Sequence, residues 1–415
     1  MNRFDVINQI VKAADKTYSY DVVRSARSIP KLDRIKIGSV SFNHATGGGV
    51  PRGRITQFFG ECSSGKTTAA CMVIAAAQRL CRHCWREPRD LHVEDVTDET
   101  GTNKRAIATC DCVKAGLWIP VQWPNEKDKE YKERLAGLQQ NSFSEFICWF
   151  FDQEGTFDPG WAELHGVDLD RLLLSQPETA ERTIDLVSSA IQSGSIDLVI
   201  IDSIAALTPS KEIESSSEDW QQGLQARLLN KAFRKWVAGT NEAYNNFHTA
   251  PTILCLQQIR QKIGMSYGDP TTRPGGKGQE FADSLDVRFW TSDKVVEEVQ
   301  IGTAKDDKVK VPLEITVNFK VTKNKTGAPL RDGSFRMSLT NNPERGVRLG
   351  QILESDYIFS ICMKLELIQQ EGNKYYLAGE EFSSQKAIRE WWRTHRFEYD
   401  LVRQMVENRL AELTA

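Results

Sequence analysis

Gly60-Glu61-Cys62-Ser63-Ser64-Gly65-Lys66-Thr67-Thr68 decides the fold of this chain. Its spacing, G-x-x-x-x-G-K-[ST], follows an apolar stretch, Ile55-Thr56-Gln57-Phe58-Phe59, that reads as a buried strand. It opens an alanine-rich stretch, Lys66 to Arg79, that reads as a helix. In that setting the glycines let backbone N–H groups converge on phosphate oxygens, and the helix N-terminus adds its partial positive charge. Gly60, Ser63, Ser64, Gly65 and Thr68 then shape the loop, Lys66 reaches the terminal phosphates of a nucleotide, and Thr67 ligates Mg²⁺.

Outward from the loop, short apolar runs recur at Ile147 to Phe151, Leu172 to Leu174, Leu198 to Ile201 and Ile253 to Leu256, with helical stretches Thr179 to Gln192 and Gly223 to Val237 between them. Strands alternating with helices predict an α/β fold built on a doubly wound, mostly parallel sheet. The run Leu198-Val199-Ile200-Ile201 ends in Asp202, placed to help hold the Mg²⁺ of a P-loop NTPase. The run Ile147 to Phe151 delivers Asp152-Gln153-Glu154, and Glu154 is the candidate for activating water. Taken alone, Glu154 is more readily a solvated strand-end carboxylate.

The totals bound the rest. A chain of 415 residues exceeds one ordinary core, so two or three domains are expected. With 40% hydrophobic and 26% charged residues it reads as globular; no apolar run is long enough to cross a bilayer, and Met1-Asn2-Arg3-Phe4-Asp5 lacks a secretory layout, so a cytoplasmic place and no membrane partner are expected. A net charge of -3 gives no global attraction to nucleic acid, so any such site must be local. The nine cysteines, on a cytoplasmic chain, argue for thiols or metal ligands rather than disulfides.

Several segments resemble the bacterial RecA recombinase family: Gly60 to Thr68, Ile74-Ala75-Ala76-Ala77-Gln78-Arg79, Leu173-Leu174-Ser175-Gln176-Pro177-Glu178-Thr179, Asp202-Ser203-Ile204-Ala205-Ala206-Leu207-Thr208-Pro209 and Gln258-Ile259-Arg260-Gln261-Lys262-Ile263-Gly264. The P-loop alone fits many NTPases; the last two segments are what single out a recombinase. The resemblance implies a RecA-like core that binds ATP and Mg²⁺, hydrolyses ATP when bound to DNA, and forms helical homo-oligomeric filaments on single-stranded DNA that pair it with homologous double-stranded DNA. It implies Glu154 and Lys66 as catalytic, Asp158 and Trp161 at the nucleotide, with Trp161 stacking on adenine, and Gln258 as sensor of the γ-phosphate. Lys323 and Lys325 match lysines that reach the ATP of a neighbouring subunit, and Phe281 an interface aromatic.

Two loops are similar to the family's DNA-binding loops. The first, Pro209 to Gly223, is acidic and leads into a helix bearing Arg227 and Arg234. The second, Arg260 to Phe281, carries Arg260, Lys262, Arg273, Gly275, Gly276 and Lys277, cations for phosphates beside glycines that admit a strand to the backbone. Read by itself, such a loop is as readily a plain surface loop.

The chain departs from the family between the P-loop helix and the Glu154 strand, where residues 80–146 are inserted. Cys81-Arg82-His83-Cys84 and Cys110-Asp111-Cys112 supply two close thiol pairs, and Cys81, Cys84, Cys110 and Cys112 are the expected ligands of a structural Zn²⁺. The domain reading is a polymerisation helix and linker at 1–35, the ATPase core at 36–345 carrying the insertion, and a small α+β domain at 346–415. The competing functions are a nucleotide-switched paralogue that exchanges no strands, and a ring-forming helicase-type motor.

Overall fold

The strand expected before the glycine loop forms as β1 (Ile55–Gly60), every residue buried. The computed structural model describes residues 32–81, 90–98, 101–109, 146–214, 223–247, 250–261, 271–273, 278–300, 308–343 and 346–414, with helical positions at 5, 6, 9, 11–13 and 129. Around β1 runs a nine-stranded sheet. Its other strands are β2 (Cys148–Asp152), β3 (Leu172–Ser175), β4 (Leu198–Asp202), β5 (Thr252–Gln258), β6 (Leu285–Gln300), β7 (Lys308–Asn324), β8 (Asp332–Ser338) and β9 (Ile352–Leu353). The order is β9-β8-β7-β6-β1-β5-β4-β2-β3. From β6 to β3 every pair is parallel, while β7, β8 and β9 add antiparallel pairs at one side.

The sheet is parallel because its strands are near-continuous apolar runs that need cover on both faces, and helices between them provide it. Alternate residues point to opposite faces. Phe58, Phe150, Ile200 and Leu254 meet helix α2 (Lys66–Gln78) in one core. Ile55, Phe151, Val199, Ile201 and Ile253 meet α4 (Ala180–Ser193) and α5 (Leu224–Phe247) in the other. Two further short helices are α1 (Val40–Thr46), under the first core, and α3 (Pro159–Leu164). The doubly wound expectation therefore holds. α2 is buried nearly all round, which is why its sequence carries alanines rather than an amphipathic stripe.

β6 and β7 run well past their neighbours. β1 pairs only with Leu285 to Phe289, and β8 only with Glu314 to Lys320, so the distal part is a two-stranded ribbon with register shifts at Ser292/Lys294 and Val295/Val296. Within the insertion, Asp90–Asp98 and Gly101–Thr109 pair as an antiparallel hairpin.

After α6 (Gly278–Ala282) in the core, the last stretch forms α7 (Ser355–Lys364), a three-stranded antiparallel sheet, α8 (Gln385–Thr394) and α9 (Arg396–Thr414) around an apolar cluster that includes Ile358, Leu377, Ile388, Trp392 and Val406. Glu354 ties this unit to the core. Its carboxylate accepts from Ser39 Oγ at 2.5 Å, Val40 N at 2.8 Å and Ser41 N at 3.2 Å, while Ser39 Oγ accepts from Phe42 N, so the first N–H groups of α1 are capped from across the chain. Burial pushes the Glu354 carboxyl up, opposed by those hydrogen bonds.

Candidate active site and nucleic-acid interface

The carboxyl ends of β1, β2, β4 and β5 lie side by side, and each delivers a side chain to one crevice, where open parallel sheets bind ligands. The loop after β1 is tight. A Cβ on Gly60 would lie 2.2 Å from Phe289 O, and one on Gly65, whose φ is +90°, 2.9 Å from Val317 Cγ1. Only glycine fits at either position. The loop is thereby pressed against β6 and β7.

Lys66 is buried and folded back on this loop, donating to Gly60 O at 3.2 Å, Glu61 O at 2.6 Å and Ser64 Oγ at 3.2 Å. Burial lowers its pKa, against the pull of Asp202 and other neighbouring acids. Thr67 Oγ1 donates to Asp202 Oδ2 at 2.9 Å. The residue that opens α2 and the residue that ends β4 thus place two oxygens together, a hard donor set suited to Mg²⁺. Burial pushes Asp202 up to about 6, partly offset by the Thr67 hydroxyl.

Glu154 stands just past β2. Ser203 Oγ donates to its Oε1 at 2.5 Å, and Gln258 Nε2 donates to Oε1 at 3.0 Å and Oε2 at 3.1 Å. The turn that carries it is built by Asp152, whose two oxygens accept from Thr156 N, Phe157 N and Gln176 Nε2. Cys62 Sγ, in the P-loop, donates to Gln258 Oε1 at 3.4 Å. Sequence reasoning proposed Glu154 and Gln258 but missed Ser203 and Cys62 as their partners, and Asp152 with Gln176 as the support of the turn; only the fold brings these residues together.

Asp158 caps α3 by accepting from Trp161 N, and Trp161 Nε1 donates to Thr68 Oγ1 at 3.2 Å, which fixes the indole beside the P-loop helix. His165 stands edge-on to Trp161, ring centroids 4.9 Å apart, and burial pulls its pKa down to about 4.

Lys323 and Lys325 sit elsewhere. Lys323 pairs across the sheet with Asp286, and Asp286 with Gln57, three residues before Gly60 and so about 10 Å back along the strands from the P-loop. Lys323 Nζ donates to Glu280 O and Lys325 Nζ to Phe281 O, both in α6, which precedes β6. Both lysines therefore face the amino edge of the parallel strands, away from the chain's own nucleotide crevice. Phe281 beside them is 78% exposed.

Of the residues expected at DNA, Arg227 and Arg234 lie exposed on α5, seven residues apart and so on one face. Asn230 lies between them, and Gly278 packs so closely there that a Cβ would fall 1.8 Å from Asn230 Oδ1. The end of the second loop is thus laid over the face of the helix that follows the first. Arg273 is turned inward: it donates to Asp286 Oδ2 at 2.9 Å and Gln57 Oε1 at 3.2 Å, and its guanidinium lies 4.6 Å from the Phe59 ring centroid. Asp283, beside that pair, is fully buried, and burial followed by the Asp286 charge pushes its carboxyl well above the usual carboxylate range. Lys262, Gly275, Gly276, Lys277 and the side chain of Arg260 lie outside the described residues. So do Cys84, Cys110 and Cys112; Cys81 is buried, and among the described residues no three His, Cys, Asp or Glu side chains gather into a metal site.

A family model described as the RecA N-terminal domain matches residues 5–86 and 133–342, skipping most of the insertion. The chain belongs to the RecA family. It is 33% identical to Protein RecA of Fusobacterium nucleatum over 340 residues, 81% of this chain and 68% of that protein. It is 31% identical to Protein RecA of Thermus aquaticus over 341 residues, 81% of this chain and 76% of that one, and 32% identical to that of Kineococcus radiotolerans over 339 residues, 80% and 74% respectively. Family membership carries ATP-dependent DNA recombination by a DNA-dependent ATPase, with ATP and Mg²⁺ as substrate and metal. Among the described residues no helix is long and apolar enough to cross a membrane.

Proposed function

We propose that this chain is the recombinase itself: a DNA-dependent ATPase that forms filaments on single-stranded DNA and exchanges strands with a homologous duplex. The observation that carries the reading is the convergence of Lys66, Thr67, Asp202, Glu154 and Gln258 at one end of the sheet, with Lys323 and Lys325 at the other. Thr67 and Asp202 would hold Mg²⁺, which would supply charge neutralisation at the phosphates. The P-loop N–H groups and Lys66 hold and orient the triphosphate, and the Trp161 ring offers a face to the base. Glu154 accepts the proton of the attacking water once Gln258 turns to the γ-phosphate.

Lysines on the edge opposite the chain's own P-loop serve only a second copy's nucleotide, which makes head-to-tail assembly part of the active site. The partners are single- and double-stranded DNA, gripped through backbone phosphates at the α5 face and the second loop, so binding weakens with salt and carries little sequence preference. The domain division given above, the cytoplasmic location and the zinc site of the insertion complete this reading and rest on the sequence.

A mixing experiment tests it. Lys66→Ala and Lys325→Ala should each be inactive alone, one lacking its phosphate clamp and the other lacking what it lends its neighbour. Mixed in equal amounts on single-stranded DNA, roughly one interface in four joins an intact P-loop to an intact lysine, and hydrolysis should return to about that fraction of the parent rate. A mixture as inactive as its components would refute assembly of the site between subunits.

A further inference from the structure

We propose that Cys62 is a positioning residue that latches the catalytic glutamate in its resting arrangement. The inference rests on the ATPase reading of the site and adds a residue to it.

In this structure both oxygens of the Glu154 carboxylate face neutral donors: Ser203 Oγ on Oε1, and Gln258 Nε2 on both oxygens. An attacking water must therefore compete with these donors for the acceptor positions of Glu154, of which roughly one in four stays open. Gln258 is favoured in that pose while its own carbonyl oxygen faces a donor, since the amide presents Oε1 and Nε2 on opposite sides. The donor is the Cys62 thiol at 3.4 Å. Four groups from four separate parts of the chain therefore form one line, from the P-loop thiol through the Gln258 amide to Glu154 and on to the Ser203 hydroxyl.

The line is placed where both ligands can break it. Cys62 belongs to the loop that a triphosphate must occupy, so phosphate binding disturbs the thiol end. Gln258 is followed by Ile259, whose N–H donates to Gly60 O at 3.1 Å, and then by Arg260, where the second DNA loop begins. DNA pulling on that loop moves Gln258 from the other side. A thiol is a weak donor, so the latch adds a bias and no more, worth about the net strength of one modest hydrogen bond, or a two- to tenfold shift between latched and released forms.

The experiment measures ATP hydrolysis by the full chain with and without long single-stranded DNA, in the parent, Cys62→Ala and Cys62→Ser, with Lys66→Ala as the blank. Cys62 is exposed, so neither substitution removes core packing. Cys62→Ala should raise the DNA-free rate relative to the DNA-saturated rate, lowering the stimulation ratio about two- to tenfold. Cys62→Ser, which keeps a donor, should return the ratio to within about twofold of the parent. The proposal is overturned by a ratio in Cys62→Ala equal to the parent's, by both rates falling together with the ratio kept, or by Cys62→Ser behaving as Cys62→Ala. Should Cys62→Ala fail to fold, Cys62→Gly removes the thiol with no added bulk and is read in the same way. Hydrolysis undiminished in Lys66→Ala would instead sink the ATPase reading on which the latch depends.

Discussion

Replacing Arg273 by alanine should destabilise the DNA-free protein, although its place in the second loop marks it as a residue for DNA phosphates. The Arg273 side chain is 18% exposed and that of its partner Asp286 only 1%. Removing one member of a buried ion pair costs about 3–5 kcal/mol, because the other charge stays behind without its partner. Loss of the Gln57 hydrogen bond and of the contact with the Phe59 ring adds about 1 kcal/mol each. Against this, water can enter where the partly exposed arginine stood, and the neighbouring Lys323 remains. The net cost at pH 7.5 is about 2–4 kcal/mol.

The pH dependence has a definite sign. Asp283 already has its carboxyl pushed well above the usual carboxylate range, by burial and then by the Asp286 charge, against the opposing pull of Lys323 and Arg273. Without Arg273 its downward pull is gone, so the folded Asp283 carboxyl is pushed up further than in the parent, and the variant gains more stability than the parent as pH falls. Urea unfolding of parent and Arg273→Ala, without DNA, at pH 7.5 and 5.5, is the assay. The variant's midpoint should lie well below the parent's at pH 7.5, with the gap narrowing at pH 5.5. A stability within about 0.5 kcal/mol of the parent at pH 7.5, with a lower salt slope of DNA binding, would refute the argument and return Arg273 to the phosphates.

Two further predictions follow from the same geometry. Gly60→Ala puts a methyl 2.2 Å from the Phe289 carbonyl oxygen, a clash with backbone that forces β1 and β6 apart; nucleotide affinity, read by isothermal titration, should fall at least tenfold, and unchanged affinity would mean that the loop is not pressed against β6 as described. His165, pulled down to about 4 by burial, stabilises the native protein through its neutral ring. That contribution is complete above pH 6.5 and is lost as pH falls toward 4, so the urea midpoint of the parent should drop more steeply across that window than that of His165→Leu, and parallel slopes would contradict it.

The sequence disclosed those parts of the site whose chemistry is encoded locally. The P-loop is legible because glycine spacing, strand and helix lie within one short stretch, and Asp202 because an apolar run ends on it. Elements with a strong period or an uninterrupted apolar run, such as β1, α2 and β4, fall within a residue of the expected bounds. The ribbon of β6 and β7 was only partly legible. The stretch Ile315 to Val321 reads as a strand, but its bulged and charged continuation, and nearly all of its partner, carry no clean alternation. Arg273 shows what composition leaves out: a cation among glycines reads as a surface phosphate ligand, and only the fold reveals that it also pairs with Asp286. The same holds for Cys62, Glu154, Ser203 and Gln258, which are far apart in sequence and meet only because parallel strands end at a common edge.

The most direct test of the whole account is homologous strand exchange between a single-stranded circle and a linear duplex, with ATP and Mg²⁺, by the parent and by Lys66→Ala. The account predicts joint molecules that depend on ATP and on shared sequence with the parent, and none with the variant. No joint molecules with the parent, under conditions where it hydrolyses ATP on single-stranded DNA, would contradict the recombinase reading in favour of a motor or a nucleotide-switched relative.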